Sequence, residues 1–268
     1  MTPNPSRRGK GAPCLFAALL LFGLCFTADA QTADSTDVPR HLAIARELVD
    51  NLKPEDNRYS LGSQSISFPG DLFASRYAMN ADCSGFLLAI FERAKYPTQS
   101  QMDFLNAGVK RKRPTAEDFV YSIEQEKGFT RIRKVEDMKP GDLLAHAMLN
   151  KDDQRQTGTT GHVFLINSVP QPIEPRRPIV DSTRQFEVSI IDSNEEHVGA
   201  DDSRLAEPTN KITGLGKGTI RLYADATGEL VGWARTFPNT KRFFSYSPAF
   251  PSDTKLRKAA IGRPHAGT

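Results

Sequence analysis

The sequence predicts an α+β protein with helices in the first half and antiparallel strands in the second. Three observations predict it. Segments with apolar residues at helical spacing fall in the first half of the chain. Short apolar, strand-like runs bounded by turn residues fill the second half. The two kinds of segment do not alternate as βαβ units would.

The elements follow in chain order. Arg7, Arg8 and Lys10 precede the apolar run Leu15 to Phe22, and Ala28-Asp29-Ala30 comes after it. A positive segment, a short apolar core and small residues two apart predict a secretory signal peptide over 1–30, cleaved after Ala30. The run is short for a bilayer, so no stable membrane span is expected after cleavage. Residues 31–38 read as a flexible leader, 39–247 as one domain and 248–268 as a flexible tail. Within the domain, helices are predicted at His41–Leu52, at Ser84–Ala94 and at Thr115–Glu126, the last opened by Thr115 with Asp118 placed for a capping box. Tyr59 to Met79, broken by Gly62, Pro69 and Gly70, reads as irregular. Strands are predicted at Phe129–Ile132, Asp142–His146, His162–Ile166, Phe186–Ile191, Thr219–Tyr223 and Leu230–Ala234, the last two joined by an Asp225–Gly228 turn. Gly214 to Gly218 reads as a flexible strand entry, because no helix or Lys-Ser/Thr ending follows as a phosphate loop requires. Trp233 and Phe243-Phe244 are expected in the core.

Export changes the composition. Losing Arg7, Arg8, Lys10 and Asp29 leaves 32 basic and 31 acidic residues, a net charge of +1. That excludes strong attraction to polyanions, and nucleic acid is not an expected partner. Cys14 and Cys25 leave as well, so Cys83 is the single thiol of the mature chain. Exported proteins that use cysteine structurally pair it, so a lone thiol is either buried and inert or kept for chemistry. No His or Cys spacing suggests a metal site, and no cofactor is expected.

Cys83 falls where Asn80-Ala81-Asp82 leads into the predicted buried helix. A cysteine in a first helical turn meets unpaired N–H groups and the positive end of the dipole, which favour the thiolate and can hold an oxyanion. Asp82 and Asn80 are candidates to cap that turn. A thiol nucleophile needs a base. His41 and His265 are expected at the surface, and His146 in the core or at a strand end. His162 follows Gly161 and opens the strand Val163 to Ile166, so it sits at a rim where it can reach a helix N-terminus. Asp192, at the end of a buried strand, can orient the imidazole; Asn194, two residues on, shares its side and remains an alternative. His197 is a candidate for lining the cleft, Ser84 for support beside the nucleophile. The basic run Lys110–Arg113 reads as a solvated loop.

Asp82-Cys83-Ser84-Gly85-Phe86, then Pro140-Gly141-Asp142-Leu143, then Gly161-His162-Val163 resembles the motif order of NlpC-type cell-wall cysteine peptidases, papain-like enzymes related to the CHAP amidases. The resemblance implies a papain-like fold, in which the nucleophile-bearing helix packs on an antiparallel β-sheet that carries the base, and hydrolysis of amide bonds in peptidoglycan stem peptides. It implies Cys83 as nucleophile, His162 as base and Asp192 as orienting residue, with a tyrosine upstream near the oxyanion, Tyr59 or alternatively Tyr77. The sequence departs from the pattern in a longer segment between Tyr59 and Cys83, a single Gly62 where paired glycines are usual, a Pro- and Arg-rich stretch over 167–185, and Asp192 in place of the usual His, Asn or Gln. A papain-like acyltransferase or deacylase, or a non-catalytic wall-binding protein, are the rival readings.

Overall fold

The computed structural model of the chain describes residues 38–62, 64–95, 114–148, 160–206, 212–250 and 257–265. The predicted signal peptide, most of the leader and Lys110–Arg113 lie outside them. The chain from Asp37 to Thr268 forms one compact unit.

Three α-helices are present among the described residues: α1 (Arg40–Asn51), α2 (Cys83–Arg93) and α3 (Ala116–Glu124). Each lies within a residue or two of its prediction. In α3 the backbone N–H of Thr115 donates to Asp118 Oδ2 at 2.8 Å, the reciprocal half of the expected capping box. Phe86, Leu87, Ile90 and Phe91 of α2 are at most 1% exposed. Each contributes about 2 kcal/mol of transfer free energy, so this helix is held by burial rather than by propensity.

The segment read as irregular holds three short strands: β1 (Asn57–Arg58), β2 (Ser65–Ser67) and β3 (Ala78–Asn80), with β3 between the other two. The later strands are β4 (Phe129–Ile132), β5 (Leu143–Met148), β6 (Gly161–Ile166), β7 (Gln171–Ile173), β8 (Arg184–Asn194), β9 (Gly214–Ala224), β10 (Leu230–Arg235), β11 (Phe244–Ser245) and β12 (Arg257–Pro264). They build a nine-stranded antiparallel sheet in the order β11-β10-β9-β8-β6-β5-β12-β4, with β7 on β8. The α+β class is as predicted.

The tail is not flexible throughout. Arg257–Pro264 is a sheet strand inserted between β5 and β4. Alternation is weak in Arg-Lys-Ala-Ala-Ile-Gly-Arg-Pro, and only neighbours on both sides reveal it as a strand. Gly214–Gly218 is likewise no loose entry but the paired start of β9, matched residue for residue to β8.

The sheet curls. Trp233 on β10 and His146 on β5 are four strand steps apart, which in a flat sheet is ~19 Å. Their rings lie 6.2 Å apart and stack. A Val135 N–H to Gly228 carbonyl bond of 3.0 Å joins the two margins. The inner face encloses Phe164, Ile166, Val188, Ile190, Leu222 and Trp233. The outer face carries Val163, Leu165 and Ile191 against α1, α2 and α3.

One buried turn fixes α1 on the sheet. In the Pro-Gly-Asp turn, Gly141 has φ +95°, a conformation other residues rarely adopt, and its N–H donates to Ile166 O at 2.8 Å. His41, expected at the surface, is 1% exposed and its Nε2 bonds the Gly141 carbonyl at 2.7 Å. Its helical spacing leaves it on the inward face of α1, where a backbone carbonyl satisfies it.

Candidate active site

Cys83 is the first residue of α2 and is 6% exposed. Asp82 is the N-cap: its Oδ1 accepts from the Gly85 N–H at 2.7 Å and from Ser84 Oγ at 3.0 Å. Ser84 therefore serves the cap. Asn80, the other capping candidate, is in β3. The N–H groups of Cys83 and Ser84 head the helix without partners four residues back, so their dipoles point at the sulfur's surroundings.

Two contacts position the turn before Cys83. Ser193 Oγ of β8 donates to the Ala81 carbonyl at 2.6 Å. Gln64 Oε1 accepts from the Asp82 N–H at 3.0 Å, while its Nε2 donates to Ser60 O at 2.7 Å. The second contact ties the Tyr59-Ser60 segment to the turn into Cys83. Tyr59 follows β1, which runs parallel to β3 just before Cys83, and the Ala81 N–H donates to Arg58 O at 3.2 Å. Tyr77 points elsewhere: its hydroxyl donates to Glu47 Oε1 on α1 at 2.8 Å. Tyr59 thus follows the strand beside the turn into Cys83, while the Tyr77 hydroxyl is held by α1.

The start of β6, the end of β8 and the end of β5 meet at one end of the sheet. His162 Nε2 and Asp192 Oδ2 are 2.8 Å apart, with the His162 side chain 13% exposed and Asp192 fully buried. With Nε2 engaged there, Nδ1 is the nitrogen left to face Cys83, whose charge also acts on the ring. Burial works against a charge on His162. The charge and hydrogen bond of Cys83 and those of Asp192 outweigh it and push His162 up to about 10. The arrangement favours the charged imidazolium form of His162. Asn194 donates through Nδ2 to Asp192 Oδ2 at 3.2 Å, so the two candidates are not equivalent: Asp192 holds the histidine and Asn194 braces Asp192. His197 bonds the Ile212 carbonyl at 3.2 Å, in the loop beyond β8.

Two residues that sequence reasoning missed complete the line. Arg204, with 1% of its side chain exposed, donates through Nη2 to Asp192 Oδ1 at 3.0 Å. It also forks onto Asp202 through Nε at 2.8 Å and Nη2 at 2.7 Å, and its Nη1 donates to Gly214 O at 2.9 Å. Burial alone would push Asp192 up, yet the Arg204 charge and the His162 and Asn194 hydrogen bonds hold it below the ordinary carboxylate value. Strand alternation could have found Ser193, which faces away from Asp192. Nothing in Asp201-Asp202-Ser203-Arg204 distinguishes a buried arginine from a surface loop.

His146 lies opposite His162 in the β5–β6 register, 6.1 Å ring to ring. It is 3% exposed and its Nδ1 meets the Tyr246 hydroxyl at 3.1 Å, the buried, satisfied histidine expected of it. Burial, and the nearby His162 and Arg257 charges, hold it well below its ordinary value, so it is neutral and does not compete as base.

Among the described residues no His, Cys, Asp and Glu group is arranged to hold a metal ion, and no helix is long and apolar enough to cross a membrane. No protein-family model matches the chain. No solved structure matches it. Over 174 residues it is 30% identical to an uncharacterized protein of Acanthamoeba polyphaga mimivirus, a match that covers 62% of this chain and 73% of the viral protein. The chain belongs to the family of that mimivirus protein.

Proposed function

We propose that this chain is an exported cysteine hydrolase of papain-like design that cleaves amide bonds, with peptidoglycan stem peptides as its substrate. The observation that carries the reading is the 2.8 Å contact of His162 Nε2 with fully buried Asp192, which leaves the other ring nitrogen for Cys83 at a helix N-terminus. The motif order from Asp82-Cys83-Ser84-Gly85 to Gly161-His162-Val163 supports the NlpC-type resemblance and, through it, the substrate class.

The chemistry is acyl transfer to water. The Cys83 thiolate adds to the carbonyl carbon, and the oxygen takes up charge that the N–H groups heading α2 can stabilise. The C–N bond breaks as the His162 imidazolium gives its proton to the leaving amine, and a thioester remains. His162, now neutral, takes a proton from water as the oxygen attacks the thioester. Cys83 leaves as thiolate, the acid product departs and the pair is restored. Asp192 keeps the ring oriented and stabilises its cation through both steps.

The mature chain, purified with and without the Cys83→Ala change, is incubated with peptidoglycan and the soluble fragments are weighed by mass spectrometry. New amine and carboxyl ends at one stem-peptide bond are expected from the wild type alone. Identical digests from the two proteins would overturn the reading.

A further inference from the structure

The residue two before Cys83 has both of its backbone polar groups fixed. Ala81 is fully buried; it donates its N–H to Arg58 O at 3.2 Å, and its carbonyl accepts from Ser193 Oγ at 2.6 Å. The first bond ties the turn into Cys83 to β1 and the second ties it to β8. β1 is fastened in its turn. Asn57, beside Arg58, donates through Nδ2 to Leu215 O at 2.7 Å and accepts at Oδ1 from the Leu215 N–H at 2.8 Å. β10 pairs with β9 from Ile220 to Ala224, so at Leu215 a side-chain amide takes the place of the next strand. Leu215 stands opposite Ser193 in the β8–β9 register, which closes a ring through Ser193, Ala81, Arg58, Asn57 and Leu215.

The ring depends on a close approach. Gly214, at φ +101°, has no side chain where a Cβ would collide with Asn57 Oδ1 and the Arg58 backbone, so β1 can lie against the start of β9. Ser193 is fully buried, and its neighbour Asp192 points to the other face of β8, where it holds His162. Two adjacent residues of one strand therefore reach both members of the pair. Asp192 holds His162 directly, and Ser193 holds Cys83 through the Ala81 carbonyl. Close packing around these buried groups leaves the turn little play.

We infer that Asn57 and Ser193 are positioning residues, which set the distance from Cys83 to His162 by fixing Ala81 between β1 and β8. The inference rests on the Cys83–His162 pair of the hydrolase reading and deepens it by naming what spaces the pair. Both side chains bond backbone groups, so they act through the turn ahead of Cys83 rather than on a reacting atom.

The test reads His162 and needs no turnover. Cys83 on α2, Asp192 on β8 and neutral His146 on β5 face its ring, and the first two raise it. The mature chain is labelled with carbon-13 at its histidine rings. The His162 midpoint is followed by NMR in wild type, Ser193→Ala and Asn57→Ala, each alone and each combined with Cys83→Ala. At an effective dielectric of about 20, a retreat of the sulfur by about 1 Å lowers the midpoint by about half a pH unit. A fall of that size is expected in both single variants, and none in the Cys83→Ala background, because the ring acts through the sulfur. Circular dichroism checks that the variants fold. Asn57 is half-buried, and its variant carries the test if the loss of Ser193 unfolds the chain. A midpoint that stays put in the folded variants would overturn the proposal. So would an equal fall with and without Cys83, which would place the effect on Asp192 instead. On a stem peptide, kcat should fall roughly 10- to 10²-fold in the single variants while KM changes less than about twofold. Peptide left uncut by the wild type removes the hydrolase reading and leaves the His162 midpoint to decide the positioning role.

Discussion

Arg204 lies in the space that Gly216 leaves empty: a Cβ at position 216 would collide with the Nε, Cδ and Cζ atoms of the guanidinium. Gly216 stands opposite Asp192 in the β8–β9 register, so the missing side chain is directly across from the carboxylate that Arg204 grips. A glycine in the interior of a strand costs stability on its own account, and here the close approach of a buried cation explains it.

Gly216→Ala should therefore act as a lesion in the candidate site. Displacing Arg204 strands Asp192 and Asp202, both at most 3% exposed. A loss of about 2–4 kcal/mol is expected, read as a lower midpoint in urea at unchanged m-value. Arg204→Lys should lose a comparable amount despite keeping the charge, because a single ammonium cannot reproduce the fork on Asp202 and the bond to Asp192. Wild-type stability in either variant would show that the ion cluster is not what holds this end of the sheet.

Asp192→Asn tests the orienting role. It removes the charge that helps raise His162 and disturbs the tautomer that aims Nδ1 at Cys83. Turnover should fall on the order of 10²–10⁴-fold, whereas Asn194→Ala, which removes only a brace, should cost under ~10-fold. The rate of Cys83 alkylation against pH is the second readout. The limb that reports His162 should move to lower pH in Asp192→Asn, and an unmoved profile would remove Asp192 from the pair's energetics.

The His162 charge also predicts how stability varies with pH. Its folded value, about 10, lies above the ordinary histidine value near 6.5. The folded state therefore holds the proton more tightly than the unfolded chain does. Its contribution is full below about pH 6.5 and is lost as pH rises through about 10. The stability difference between wild type and His162→Ala, from urea melts at pH 6 to 10.5, should shrink across that window. Asp192 behaves in the opposite sense: its folded value is lowered, so its contribution is present above about pH 4 and is lost as pH falls through the folded value.

Removing 257–268 should prevent folding rather than trim an end. β12 pairs with β5 on one side and β4 on the other, and its Arg263 forks onto buried Asp142 through Nε at 2.8 Å and Nη2 at 2.9 Å. The truncated chain would expose the β5 edge and leave Asp142 uncompensated. Insoluble protein, or loss of the cooperative melt, is the expected result. A soluble truncation with a wild-type melting curve would refute it.

Much of this was legible in the residues themselves. The three helices, the β6 and β8 strands and the Asp225–Gly228 hairpin follow from apolar period and turn chemistry, which are local properties. The places of Cys83, His162 and Asp192 were readable for the same reason: a turn into a buried helix, a polar residue opening a strand and an acid closing one are patterns within a few residues. What the sequence could not decide depends on residues brought together from far apart. His41 looks like a surface residue until the Gly141 carbonyl, a hundred positions away, is placed against it. β12 looks like a frayed tail until β4 and β5 flank it. Arg204 looks like a loop arginine until Asp192, Asp202 and the vacancy at Gly216 surround it. Local sequence determined which elements form and which side chains stand at the head of α2 and at the ends of β6 and β8, because period, caps and turns act over one or two turns of chain. Only the tertiary structure decided which charges are buried together, because desolvation and pairing are set by neighbours across the sheet.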